Sequence, residues 1–195
     1  MTRVWWMLIA AAFLATAGTA AQSTPQRYGF GTPAPQELVR RLDTDVRPDG
    51  TGLPAGRGTA SDGAAVYARH CAACHGTKGE GGQADALVGA DPAGIAPFGP
   101  QYEQWRRDRP DVPFTVGNFW PYATTLFDYV RRAMPPSAPG MLSSDEMYSV
   151  VAWLLARNGV ITDAEVMTAE SLPKVVMPAR DRFVPDDRRG GRQIR

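Results

Sequence analysis

The 195-residue chain has two cysteines, Cys71 and Cys74, and two histidines, His70 and His75. So few thiols exclude a disulfide framework and a four-cysteine zinc site. Net charge is equally scarce. Lys+Arg 21 against Asp+Glu 20 leaves a formal +1, so no overall field draws the chain to nucleic acid or to an anionic membrane. There is no internal repeat, and strands are hardly indicated. What the chain has in plenty is glycine (20) and proline (17), which break regular elements and predict one small core with long irregular segments. At roughly 150 residues per domain, the length suits one domain or slightly more.

Only the beginning carries a long apolar run. Arg3 precedes residues 4–14, all apolar, and the small-residue stretch 15–21 follows, the n-region, h-region and cleavage zone of an export signal. A helix of that run spans about 17 Å, short of the ~30 Å hydrocarbon core, so cleavage near Ala20 or Ala21 is expected rather than a retained anchor. Removal of residues 1–21 takes one arginine and no acid, leaving a neutral mature chain with no further segment of spanning length. A bacterial periplasm is the natural destination.

Prolines and glycines interrupt residues 22–59, where one short helix is possible at residues 35–42. A first helix starts behind Ser61 as N-cap and runs into the cysteines. Residues 76–117 show no sustained period and read as a long loop wrapping something. A middle helix follows Pro121 over residues 122–134, with Tyr122, Leu126, Tyr129, Val130 and Ala133 at helical spacing. Pro135 and Pro136 stop it. Ser143 and Glu146 form a capping box for a last helix whose core face is Met147, Val150, Val151, Leu154 and Leu155, closed by Asn158 and Gly159. Beyond Ile161 the chain returns to proline and charge, ending in Arg188, Arg189, Arg192 and Arg195, an extended tail.

Cys71-Ala72-Ala73-Cys74-His75 is C-x-x-C-H, the attachment sequence for haem c: two thiols three residues apart add to the vinyl groups, and the next residue turns its imidazole under the iron. Two other chemistries use the same cysteines. A thioredoxin-like pair opens a helix after a strand, whereas this one ends a helix. A zinc ion needs four ligands, and His70, Cys71, Cys74 and His75 in six residues do not readily surround it. The export signal favours haem.

With His75 proximal and His70 on the same side of the haem, the sixth ligand is sought among methionines. Met1 and Met7 leave with the signal, Met147 belongs to a core face, and Met167 and Met177 sit in the tail. Met134 and Met141 remain. Met134, held by Pro135-Pro136, is preferred, with thioether ligation raising the reduction potential. Arg131 and Arg132 are candidates to neutralise a haem propionate or to meet an acidic partner, against solvated helix residues. Trp120 borders the haem edge or packs in the core.

Together these features resemble a class I cytochrome c over residues 57–159: Gly63 and Tyr67 in the first helix, C-x-x-C-H, a Met-Pro, and Trp153 in a capped last helix. The resemblance implies an all-α fold with first and last helices crossing, the middle helix before the Met ligand, and Gly63, Tyr67 and Trp153 packing at the crossing. Such cytochromes have a proline about ten residues after the haem histidine, whose carbonyl accepts its ring N–H; here Ala84-Asp85-Ala86-Leu87 stands there, and a backbone carbonyl serves without proline. The implied organisation is signal 1–21, extended arm 22–56, cytochrome domain 57–160 and extended tail 161–195.

A narrower resemblance runs through Tyr28-Gly29-Phe30-Gly31, Asp45-Val46-Arg47-Pro48-Asp49-Gly50-Thr51-Gly52-Leu53-Pro54, Trp120-Pro121-Tyr122-Ala123-Thr124-Thr125-Leu126-Phe127-Asp128-Tyr129 and Val176-Met177-Pro178-Ala179-Arg180-Asp181. It is similar to the SoxD-like cytochrome subunits of bacterial sulfite or sulfur dehydrogenases. Longer members carry a second haem domain, while this chain has one C-x-x-C-H. The resemblance implies a monohaem, non-catalytic subunit. It takes electrons from a molybdenum-containing partner, which holds the catalytic site, and passes them to another cytochrome. Its proline-rich arms either lie along the partner, gaining order on binding, or are disordered surface, with the family strings tipping toward binding. Competing readings are a free-standing periplasmic shuttle to a terminal oxidase and a haem gas sensor or peroxidase with labile sixth ligation.

Overall fold

The computed structural model describes residues 28–89 and 100–183. The export signal and the arginines of the last eight residues lie outside the described residues. Two compact units divide the chain, Met1–Val39 and Arg40–Arg195. In the first, Tyr28 and Phe30 stand exposed, and the predicted short helix α1 begins at Gln36 and ends at Leu42 with no buried residue.

In the second unit, six further α-helices and one small sheet are described: β1 (Arg57–Thr59), α2 (Ala60–His70), α3 (Ala72–His75), α4 (Pro100–Asp108), α5 (Val116–Phe119), α6 (Ala123–Ala133), α7 (Ser144–Arg157) and β2 (Val166–Thr168). The fold is all-α in character. α7 is its axis, burying Met147, Val150, Val151, Leu154 and Leu155 as its period predicts. Its start is the predicted capping box: Ser143 Oγ accepts from the Glu146 N–H at 3.3 Å, and the Glu146 carboxylate accepts from the Ser143 N–H at 3.0 Å. Asn158 ends it, with Gly159 left-handed at φ +70°.

α2 crosses α7 where the sequence places Gly63. A Cβ on Gly63 would stand 1.9 Å from the Ser149 carbonyl oxygen and 2.8 Å from Trp153 Cβ, so only glycine allows the backbones to meet. One turn on, the Tyr67 and Trp153 rings stack with centroids 3.9 Å apart. α6 packs on the other side of α7 through Phe127 and Tyr148, centroids 4.7 Å apart.

Several expectations need correction. The N-cap of α2 is Thr59, not Ser61: Thr59 ends β1 in an extended conformation, and its Oγ1 accepts from the Asp62 N–H at 3.2 Å. Pro121 precedes the N-cap of α6, which is Tyr122. The span 76–117 contains α4 and the start of α5, the first mostly polar and the second one turn long, so neither shows an apolar period.

Neither flank is simply an extended arm. Val166–Thr168 pairs antiparallel with Arg57–Thr59, Met167 opposite Gly58. Met167, Leu172, Met177 and Ala179 are fully buried, because an open face of α6, α7 and β1 is covered by them. Upstream, Val46 is buried in the same core, and residues 44–54 hydrogen-bond to α6 and α7.

Candidate haem site

α2 stops at Cys71, whose N–H still donates to Tyr67 O at 2.9 Å. The chain then makes one more turn, α3, with the N–H groups of Cys74 and His75 both donating to Cys71 O, at 3.1 and 3.0 Å. This turn places both thiols and the imidazole on a single short element. Gly76, left-handed at φ +82°, ends it and sends the chain back beneath it. The returning loop is pinned by Gly81 N–H to His75 O (2.8 Å), Ala84 N–H to Cys74 O (3.0 Å) and Leu87 N–H to Gly79 O (2.8 Å).

That loop delivers the Asp85 carbonyl to 2.7 Å from His75 Nδ1. A carbonyl only accepts, so Nδ1 carries the proton and Nε2 keeps its lone pair for a metal. The carbonyl comes from the four residues that replace the usual proline. The hydrogen bonds of the loop do what that ring does elsewhere.

Cys71 does not have the lowered pKa of an exchange cysteine. Burial, then the neighbouring Cys74, pushes the Cys71 thiol up to about 11, whereas nucleophilic cysteines are shifted down. Burial, with Cys71 and Glu80 adding, likewise raises the Tyr67 phenol to about 12, and its hydroxyl donates to Gly76 O at 2.8 Å, tying α2 to the end of α3. Among the described residues no three His, Cys, Asp or Glu side chains are grouped as metal ligands. His70 lies on the last turn of α2, where it and Arg69 help hold the Glu146 carboxyl below its usual range, after the hydrogen bonds from Ser143.

Of the methionines, Met147, Met167 and Met177 are core residues, and Met141 is half exposed. Met134 is the C-cap of α6. Its N–H donates to Val130 O at 3.1 Å, its backbone is extended (φ −123°, ψ 142°), and its half-buried side chain packs against the core that Cys71 also touches. Trp120 is half-buried with its ring 5.5 Å from that of the half-exposed Tyr129. Arg131 is half-buried and donates to Thr44 O at 3.0 Å, whereas Arg132 is solvent-exposed on its helix and paired with the Asp128 carboxylate.

Two thiols on one turn, an imidazole with its lone pair free and a thioether at a helix end are the donor set of haem c. The residues therefore fit the group.

The crossing of α2 and α7 at a glycine, the C-x-x-C-H turn, the carbonyl-oriented histidine and a methionine capping the middle helix define a class I c-type cytochrome, an electron-transfer protein of haem c. Residues 58–154 match the family described as cytochrome c oxidase, cbb3-type, subunit III. The crystal structure of the sulfane dehydrogenase SoxCD from Paracoccus pantotrophus is similar at 37% identity, over 83% of this chain and 73% of that chain, with a TM-score of 0.68. No curated protein sequence is significantly similar. The chain belongs to the SoxD-like family of class I c-type cytochromes.

Missed by sequence reasoning was the grip of α6 on residues 44–48. The signal was present, since Asp45-Val46-Arg47-Pro48 and the residues of α6 are among the strings that carry the family resemblance.

Proposed function

We propose that this chain is the exported monohaem subunit of a periplasmic sulfite or sulfur dehydrogenase. It accepts electrons from a molybdenum-containing partner subunit and passes them to another cytochrome. One haem c is attached through Cys71 and Cys74, with His75 the proximal and Met134 the distal iron ligand. The observation that carries the reading is the Asp85 carbonyl held 2.7 Å from His75 Nδ1, beside two thiols on one helical turn. Such a group, when bound, supplies one-electron redox chemistry.

The chain's own residues bind, orient and insulate. The loop 76–88 fixes the histidine tautomer and raises its basicity. A methionine in the sixth position leaves no open site for substrate, so catalysis belongs to the partner. The 37% identity to SoxCD, a sulfane dehydrogenase, supports the sulfur-oxidising assignment. Among the described residues no helix is long and apolar enough to cross a membrane. Export rests on the N-terminal pattern of Arg3 and residues 4–21. The first unit, with Tyr28 72% and Phe30 92% exposed, is the proposed contact arm for the partner.

The test is capture of the mature haem protein from its native periplasm, followed by assay for molybdenum and for haem reduction on adding sulfite or thiosulfate. Recovery of molybdenum with prompt reduction is the expected result. A haem protein recovered alone, and staying oxidised with both, contradicts the subunit reading and leaves a free-standing carrier.

A further inference from the structure

Met134 stands at the end of α6, while His75 is carried by α2 and α3 against α7. The spacing of the two proposed ligands therefore depends on how α6 is fixed to α7. Beyond the Phe127–Tyr148 packing, a loop far away in sequence does this. Thr124, Asp128 and Arg131 lie at i, i+4 and i+7 on one face of α6, and each grips the main chain of residues 44–48. Thr124 Oγ1 donates to Pro48 O at 3.1 Å, Asp128 Oδ1 accepts from the Val46 N–H at 2.8 Å, and Arg131 Nη1 donates to Thr44 O at 3.0 Å. Asp128 is 6% exposed, and Arg132 completes its shell, with Nε 3.0 Å from Oδ1.

The loop is stiff. Arg47 N–H donates to Thr51 O and Gly50 N–H to Arg47 O, both at 2.9 Å. A Cβ on Gly52, left-handed at φ +92°, would stand 2.1 Å from Asp45 O. Its far end is tied to the axis of the fold, with Tyr148 Oη donating to Pro54 O at 2.8 Å. Residues 44–54 thus bridge α6 to α7, and the last grip on α6, Arg131, is one helical turn before Met134.

We propose that residues 44–54 are a strap that holds Met134 in the sixth position, with Asp128 its central positioning residue: the buried carboxylate organises Val46 and Arg132 so that the end of α6 does not swing away from α7. This rests on the reading of Met134 as distal ligand. Removing a grip leaves the thioether in place at equilibrium but lets it leave more often. An outside ligand that waits for the open position then binds faster.

The experiment uses the full holoprotein and imidazole as the probe. In Asp128→Ala and Arg131→Ala, imidazole binds the ferric haem about 10-fold faster than in wild type, the factor by which losing one hydrogen bond of a charged group shifts an equilibrium between held and released states. In Asp128→Asn, which keeps an acceptor for the Val46 N–H, the rate falls between those of Asp128→Ala and wild type. The near-infrared thioether-to-iron band persists in all three. Wild-type imidazole rates in the strap variants, with the band lost in Met134→Ala, overturn the strap and leave the ligand assignment standing. A band retained in Met134→Ala overturns the assignment and the strap with it. Should Asp128→Ala fail to fold, Arg131→Ala and Thr124→Val decide by the same rates.

Discussion

Gly63→Ala is the substitution for which the structure sets the sharpest quantity. The added Cβ would meet Ser149 O at 1.9 Å, Ser149 C at 2.6 Å and Trp153 Cβ at 2.8 Å, two of them backbone atoms of a buried helix. Restoring an ordinary contact requires the α2–α7 crossing to open by about 1.5 Å, more than packed interiors absorb without loss. Overpacking of this kind costs roughly 1–3 kcal/mol. Opening the crossing also loosens the Tyr67–Trp153 stack, an arrangement worth about 0.5–1.5 kcal/mol. Alanine returns about 1 kcal/mol of helix propensity. The net is a loss of about 2 kcal/mol, which lowers the guanidinium midpoint of the holoprotein by roughly 0.5 M at a slope of about 4 kcal/mol/M. Far-UV circular dichroism reads it, with the exposed Ser61→Ala as a control expected within about 0.5 kcal/mol of wild type. A Gly63→Ala midpoint equal to or above wild type would mean that propensity alone operates, and the close crossing would be refuted.

Met134→Ala abolishes the near-infrared thioether band and lowers the potential by a sizeable part of the about 0.8 V that axial ligation spans, while Met141→Ala changes neither; the reverse pattern transfers the role to Met141. Asp85→Ala leaves band and potential unchanged, because His75 is held by the main-chain carbonyl; a shifted potential would show that the carboxylate takes part. Burial raises the phenols of Tyr67 and Tyr148 to about 12, against about 10 unfolded, so both favour the fold fully below pH 10, and that contribution is lost as pH rises toward 12; alkaline unfolding curves of Tyr67→Phe test it by their reduced slope in that window. Deleting residues 22–39 leaves the cytochrome unit folded and its spectrum intact but weakens association with the partner; an unchanged affinity refutes the arm. A deletion reaching residue 59 is a different experiment, since it removes the strap and the Thr59 cap as well.

What was legible in the sequence had local causes. The Ser143–Glu146 box, the period of α7 and the helix ending at Met134 each follow from residues within a few positions of one another, whereas the close approach at Gly63 was implied by the family resemblance. The carbonyl for His75 was placed within four residues by the resemblance to class I cytochromes, through the position where their proline stands. What escaped detection depends on distant partners. Strands of three residues, one with Gly58 at its centre, give no alternation to read. Val166-Met167, Leu172 and Val175-Val176-Met177 are short apolar pieces with no sustained period, so the sequence beyond residue 160 resembles a tail until the face it covers is known. The strap is held by main-chain groups at separations of 76 to 94 residues, and a carbonyl leaves no mark on composition.

The central claim is a single haem held by Cys71, Cys74, His75 and Met134 for one-electron transfer. Its most direct test is a potentiometric titration of the intact protein followed at the haem bands and in the near infrared. One wave of one electron, with the thioether band present in the oxidised form and no carbon monoxide binding in the reduced form, is the predicted result. A second wave, or an oxidised form without the band whose reduced form takes up carbon monoxide, contradicts the account.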